Sequence, residues 1–302
     1  MVRTGGSRND RCRYTVTMVI DLHVHTAFSD GTQTPSELIS EASMEGIDVV
    51  GLTDHDTTAG WTLAEDAARV YGLGLVRGME ISCRYEGISV HLLSYLHDPY
   101  DTGLAEVVQE TRRARLDRTH LIIERLAEDY PIDIDAVLSV SGEDATIGRP
   151  HIADALVAAG VVESRTEAFS SILSSQGKYH VSLPTIDPIT AIGLIREAGG
   201  VSVFAHPRAA MRGRVVPDSA MTEFISAGLD GLEVDHRDNP PQEREAMRRL
   251  AHEHDLIVTG SSDYHGTGKP NRLGEHVTSD HMLAKLLERA ASRPGGVDYI
   301  QG

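Results

Sequence analysis

The chain reads as an α/β protein, built on a parallel sheet or a (β/α) barrel and carrying an all-helical insertion. Short apolar runs alternate with helical segments from Val19 onward. The rhythm breaks off after Tyr95 and resumes near Pro188. Histidines and carboxylates recur where the apolar runs end, which is where α/β folds place their active sites.

Val19–Leu22 has the apolar character of a buried strand. Pro35–Glu45 reads as a helix, with Pro35 in its first turn and Gly46 as a stop signal. Asp48–Leu52 is the next strand, Trp61–Tyr71 the next helix, and Leu73–Ser82 and Ile88–Tyr95 are strands flanking a Glu86-Gly87 turn. Asp101–Tyr130 follows as a long, charged amphipathic helix with no strand after it, then helical pieces at Pro150–Ala159 and Ser164–Ser174. Residues 98–184 therefore form the insertion, and 18–97 with 185–302 the barrel domain. In the second half, helices Pro188–Ala198, Ser219–Ala227 and Gln242–His254 alternate with strands Val201–Ala205, Gly231–Val234 and Ile257–Thr259. A last helix covers Asp280–Ala290.

At 302 residues, 40% hydrophobic and 24% charged, the chain can bury a sizeable core. Its 28 basic and 45 acidic residues leave a net charge of −17. Such a surface repels a long phosphate backbone, so duplex DNA is excluded as a partner, whereas a small phosphorylated ligand in a cationic pocket is not. Cys12 and Cys83 have no CxxC spacing, which argues against thiolate metal sites and a disulfide framework and fits a reduced cytoplasm. No apolar run approaches the roughly 20 residues that span a bilayer. Met1–Thr17 is polar and Arg-containing without an apolar h-region, and is expected to be a disordered tail or a consequence of the chosen start codon. A monomer is expected.

The chemistry lies in scattered pieces. His23 and His25 close the first strand at i and i+2, on one face, so both imidazoles can reach one ion. Read alone, such a pair is as readily two partly exposed strand histidines. Asp30 lies in the next loop. Asp54-His55-Asp56 follows the second strand, where the same residues could instead cap a helix. Glu80 stands in an otherwise apolar strand and needs a partner or a metal, because an unpaired buried charge is costly. His91 and His206 in isolation would be satisfied core histidines. Asp263-Tyr264-His265 repeats the i, i+2 geometry. Six histidines and three carboxylates at converging strand ends need cations to repay their desolvation, and that conjunction implies a multi-metal site.

Asp21-Leu22-His23-Val24-His25-Thr26, Leu52-Thr53-Asp54-His55-Asp56-Thr57, Gly78-Met79-Glu80-Ile81-Ser82, Ala205-His206-Pro207 and Ser262-Asp263-Tyr264-His265 together resemble the PHP (polymerase and histidinol phosphatase) family. The resemblance runs in order from Val19 to His265 and implies a distorted (β/α)7 barrel with a trinuclear site. It assigns His23, His25, Glu80 and Asp263 to one ion, Glu80 as a bridge to a second held by His91 and His206, and Asp30, His55 and His265 to a third. Thr146–Ala153 resembles the Arg-x-His segment of a branch that acts on nucleotides and short RNA ends. This implies phosphate contacts from Arg149 and Lys178, for which the plainer readings are a helix-start arginine and a solvated loop lysine. His151 and His236 are further expected substrate contacts.

The implied reaction is hydrolysis of a nucleoside 3',5'-bisphosphate or of the 5' end of a short RNA. Two or three divalent ions would activate a water for in-line attack, with Arg149 and Lys178 stabilising charge on the phosphoryl oxygens. Asp56 or a water at the third site is a candidate to protonate the leaving oxygen. Nitrogen and oxygen ligands suit Mn²⁺, Fe²⁺ or Zn²⁺ and argue against Mg²⁺ alone. The rivals are a histidinol-phosphatase-like monoesterase, an amidohydrolase-type reaction and a non-catalytic polymerase-associated module. The amidohydrolase leaves Arg149 and Lys178 without purpose, and the polymerase module sits poorly with the charge.

Overall fold

Seven strands lie side by side in chain order: β1 (Ile20–Val24), β2 (Val49–Leu52), β3 (Gly74–Tyr85), β4 (Ile88–Tyr95), β5 (Val201–Phe204), β6 (Gly231–Asp235) and β7 (Ile257–Gly260). The computed structural model describes residues 17–142 and 144–302, so the expectation for the leader, including Cys12, falls outside the described residues save for Thr17. Neighbouring strands are parallel except at β4, which runs antiparallel to both β3 and β5. The parallel pairs fit the expected parallel sheet or (β/α) barrel, and β4 adds a local reversal to it. The cause is the turn Glu86-Gly87, whose φ angles of 47° and 78° form a two-residue hairpin, whereas a parallel return needs a dozen or more residues. Pairing with β4 also carries β3 past Ser82 to Tyr85.

The sheet curls until its edges meet. Val24 and Tyr264 form a parallel bridge, and the His25 N–H donates to the Tyr264 carbonyl at 2.9 Å, so the barrel is nearly closed. That matches the expected distorted seven-stranded barrel.

Helices α1 (Pro35–Met44) and α2 (Trp61–Tyr71) follow β1 and β2. Then α3 (Thr102–Leu126), α4 (Ile134–Val140), α5 (Arg149–Ala158) and α6 (Arg165–Ser170) come in succession. After them, α7 (Pro188–Glu197), α8 (Asp218–Ala227), α9 (Pro241–Glu253) and α10 (Asp280–Ala291) alternate with the remaining strands. Thr34 caps α1 in a reciprocal pair with Glu37, and Pro35 occupies its first turn. The seven-residue α4 was not anticipated, because fewer than two full turns carry little periodicity.

Alternation along β3 divides core from site. Met79, Ile81 and Cys83 pack with Ile192 of α7 and Phe224 of α8, while Glu80 and Ser82 point to the opposite, interior face. A separate apolar cluster joins Ile122, Ile123 and Leu126 of α3 to Val137, Ile152 and Leu156 of the following helices. The opposite end of α3 contributes Leu104 to the barrel core, so this helix ties the two packings together. No helix among the described residues is long and apolar enough to cross a membrane.

Candidate metal centre and active site

The interior acids and imidazoles converge on Glu80. Its Oε2 lies 3.2 Å from His23 Nε2, 3.1 Å from His25 Nε2 and 3.2 Å from His55 Nδ1. Its Oε1 lies 2.8 Å from His91 Nδ1 and 3.2 Å from His206 Nε2. Asp263 Oδ1 completes the first group, 3.5 Å from His23 Nε2 and 3.3 Å from His25 Nε2. Asp30 Oδ1 stands 3.1 Å from His265 Nε2 and 3.7 Å from His25 Nδ1, while Asp30 Oδ2 is 3.9 Å from His55 Nε2. All nine expected ligand residues are thus brought together. Three of them straddle groups: Glu80 joins His23, His25 and Asp263 and also His55 and His91, His55 faces both Asp30 and the Glu80–His91 pair, and His25 faces both Glu80 and Asp30.

The reversed direction of β4 explains His91. In the antiparallel register Ser82 opposes His91, which brings a residue from the first half of β4 to the end of the barrel where the parallel strands finish. Three site residues hold left-handed backbone at those strand ends, Asp56 at φ 51°, His206 at 32° and Asp263 at 54°. Such strain persists only where the surroundings over-determine it. Gly31 lets the Asp30 loop fold against His25, since a Cβ there would stand 2.4 Å from the His25 carbonyl oxygen.

The donor set fits divalent ions. Donors 2.0–2.2 Å from a common ion stand about 3.0–3.5 Å apart, and the group around Glu80 Oε2 has those separations. Asp30 Oδ1, His55 Nδ1, His91 Nδ1, His236 Nε2 and His265 Nε2 are buried atoms with no hydrogen-bond partner, which an ion or its water ligands would satisfy. Burial alone would raise the Glu80 carboxyl, but His55, His91 and His23 hold it well below the usual range. Burial pushes His206 down to about 3, with Arg212 adding to it, and His265 down to about 4, with Lys269 adding to it. His25 goes the other way, to about 9, because its hydrogen bonds to Asp263 and Glu80 outweigh burial. His23 is likewise raised, against burial, by Glu233, Glu80 and Asp263.

Several supporting residues escaped sequence reasoning. Glu233 lies 2.9 Å from His23 Nδ1 and also accepts from the His206 N–H at 2.7 Å. Its signal was available: like Glu80, it is an acid inside an apolar strand. Asp54, whose capping role was an alternative, accepts from the Thr26 N–H and from the Thr26 and Ser29 hydroxyls, and so braces the loop that carries Asp30. Arg212 and Lys269 both reach Asp263 Oδ2, at 2.6 and 3.1 Å. Neither stands in a motif.

The residues expected around the substrate are placed unevenly. Asp56 is fully buried and accepts from the Ser82 N–H, the Ser82 hydroxyl and Arg115 Nε, at 2.8 Å each. Both its oxygens are engaged as acceptors, so it anchors Arg115 and does not suit the expected role of proton donor to the leaving group. His151 Nδ1 accepts from the Gly148 N–H at the start of α5, at 3.1 Å. That bond caps the start of α5 and takes up Nδ1. Lys178 is 59% exposed and paired with Asp129 and Glu128, and none of its contacts reaches the cluster. His236 is buried beside the cluster, with Nε2 3.5 Å from Asp263 Oδ2. Arg149 has no carboxylate within 4.0 Å among the described residues; it donates to the Leu173 carbonyl at 3.4 Å and lies over the Phe169 ring.

A nearly closed barrel with a shared carboxylate ringed by imidazoles defines a metal-dependent hydrolase. Residues 21–155 match the PHP domain. A 5'-3' exoribonuclease of Haemophilus influenzae is 33% identical over 252 residues, which is 83% of this chain and 91% of the relative. A 3',5'-nucleoside bisphosphate phosphatase of Chromobacterium violaceum is 31% identical over 254 residues, 84% of this chain and 89% of the relative. The crystal structure of a candidate metal-dependent phosphoesterase from Bifidobacterium adolescentis superposes with a TM-score of 0.88 at 46% identity, over 92% of this chain and 96% of that one. The chain belongs to the PHP family. The family resemblance, the barrel and the reading as a metal-dependent phosphoesterase are thereby borne out.

Proposed function

We propose that the chain hydrolyses phosphate esters of nucleotides, either a nucleoside 3',5'-bisphosphate or the 5' end of a short RNA. The centre would hold two or three divalent ions on His23, His25, Asp30, His55, Glu80, His91, His206, Asp263 and His265. The observation that carries it is the position of Glu80, whose two oxygens are divided among five imidazoles. The nucleotide substrate is supported by the exoribonuclease and bisphosphate phosphatase relatives and by the unpaired guanidinium of Arg149.

Bound ions would supply an acidified water and charge neutralisation for attack at phosphorus. An all-nitrogen-and-oxygen donor set favours Mn²⁺, Fe²⁺ or Zn²⁺ over Mg²⁺ alone. The protein's part is positioning. Glu233 orients His23 and holds the backbone of His206; Asp54 fixes the Asp30 loop; Asp56 holds Arg115 against Ser82, and so ties α3 to β3. Arg149 offers a planar fork to phosphoryl oxygens. Lys178 is left out of this assignment because Asp129 and Glu128 already engage it. A small substrate agrees with a net charge of −17.

The test is turnover with added Mn²⁺ on a nucleoside 3',5'-bisphosphate, a 5'-mononucleotide, a 5'-phosphorylated trinucleotide, histidinol phosphate and an N-acyl amino acid. Release of phosphate or of a 5' nucleotide from the nucleotide substrates supports the reading. Cleavage of the amide alone, with every phosphate ester inert, overturns it.

A further inference from the structure

Arg165, the first residue of α6, joins the helical insertion to two loops that carry candidate ligands. It faces Asp154 of α5, with Nε 2.5 Å from one carboxylate oxygen and Nη2 2.6 Å from the other. That two-pronged pairing fixes the plane of the guanidinium. Its remaining nitrogen, Nη1, donates to the backbone carbonyl of Asp30 at 2.9 Å. The loop after His265 lies against the same nitrogen, since a Cβ on Gly268 would stand 2.2 Å from Nη1. One side chain of the insertion is thus wedged between the Asp30 loop and the His265 loop.

The insertion holds the Asp30 loop at two further points. The Thr146 N–H donates to the Phe28 carbonyl at 2.9 Å, and a Cβ on Gly142 would come 2.6 Å from the Ala27 carbonyl oxygen. From the barrel side, Asp54 accepts from Thr26 and Ser29. The barrel therefore secures the beginning of this loop, and the insertion secures its far end at Asp30. There Asp30 Oδ1 stands 3.1 Å from His265 Nε2, and both atoms are buried without a hydrogen-bond partner. Because Arg165 sits between the two loops, it sets how far apart those two atoms are held.

We propose that Arg165 is a positioning residue for the third ion, the one expected on Asp30, His55 and His265, and that the insertion thereby sets how tightly that ion is held. The inference rests on the metal centre proposed above. The role needs a fork and not merely a charge. Three guanidinium nitrogens serve Asp154 and the Asp30 carbonyl at once, which a lysine ammonium cannot do in one plane. Asp154 and Arg149 share helix α5, so the contact that steadies the ion also steadies the helix that presents Arg149. By linkage, an ion held through this contact tightens the insertion against the barrel in return.

The experiment is equilibrium dialysis against graded free Mn²⁺, with bound metal counted for wild type, Arg165→Lys, Gly268→Ala and Asp30→Ala. Arg165→Lys keeps the charge and loses the fork. Gly268→Ala leaves Arg165 in the chain but places a methyl group 2.2 Å from Nη1, which the guanidinium must vacate. Asp30→Ala is the reference for a lost third ion, and wild type should bind one equivalent more than it does. Orienting contacts of this kind are typically worth about 10–100-fold in metal affinity, and both other variants should hold that equivalent more weakly by such a factor. Their remaining equivalents should keep wild-type affinity. Excess Mn²⁺ should restore the missing equivalent in Arg165→Lys and Gly268→Ala but not in Asp30→Ala, which separates a shifted affinity from a damaged fold. Should Arg165→Lys not fold, Gly268→Ala carries the same test from the barrel side. Hydrogen exchange of α6 should slow when Mn²⁺ fills wild type. Wild-type affinity for that equivalent in either variant, equal weakening of every equivalent, or α6 exchange indifferent to Mn²⁺ in wild type overturns the positioning role and leaves the metal centre standing. Equal metal content in wild type and Asp30→Ala at every Mn²⁺ concentration rejects the third group itself, and the proposal with it.

Discussion

The Nδ1 atom of His23 lies 2.9 Å from Glu233, which turns the opposite ring nitrogen toward Glu80 at 3.2 Å. The same Glu233 accepts from the His206 N–H at 2.7 Å, so one buried carboxylate orients histidines from two strand ends. A group that sets ligand orientation in this way is typically worth about 10–100-fold in metal affinity, and Glu233→Gln is expected to weaken metal binding by that factor. Competition against a chelator of known affinity measures it. Affinity equal to wild type would mean that the ring is held by packing alone.

Asp263 is the only carboxylate besides Glu80 within 4 Å of the His23 and His25 Nε2 atoms among the described residues. Asp263→Asn should lose metal content and turnover together, since a neutral amide replaces a charged ligand. Full metal occupancy with an unchanged rate would remove Asp263 from the ligand set. Arg212 and Lys269, which lean on its other oxygen, would then be its true partners.

Metal binding should release protons. His25 is raised to about 9 and His23 well above its ordinary value, so both carry protons near neutral pH, while His206 and His265, at about 3 and 4, do not. An ion displaces the protons on His25 and His23, and affinity therefore rises with pH from neutrality up to about 9, the value His25 is raised to. Calorimetry in buffers of different ionisation enthalpy reads the proton count. Heats independent of buffer, with a flat affinity over that window, would contradict these charge states.

Arg115 and Asp56 form a buried pair at 2.8 Å, and removing one partner strands the other. Arg115→Met is expected to cost about 3–5 kcal/mol in urea unfolding, with the Arg115→Met/Asp56→Asn double variant recovering part of it. A loss below about 1 kcal/mol would show that water reaches Asp56 readily in the variant.

Much of this was legible in the residues. The paired motifs His23-x-His25 and Asp263-x-His265 keep their geometry from sequence to structure, because a strand or its end fixes i and i+2 on one side. Helix starts at Pro35 and Pro188 were readable from proline and its caps. What could not be read was pairing between distant segments. Lys178 looked free in the sequence, yet Asp129, 49 residues earlier, takes its charge. Asp56 looked like a free acid, yet Arg115 closes on it from a helix 59 residues away. His151 shows the same limit on a shorter scale: an Arg-x-His segment does not reveal that the imidazole folds back onto the N–H of Gly148.

The central claim is that a cluster of metal ions gathered on Glu80 drives phosphate-ester hydrolysis. The most direct measurement follows metal content and turnover of a nucleoside 3',5'-bisphosphate through chelation and re-addition of Mn²⁺ in one sample. The account predicts more than one bound equivalent in the active protein, loss of turnover as the metal leaves, and recovery as it returns. Full turnover in protein stripped of metal would contradict it.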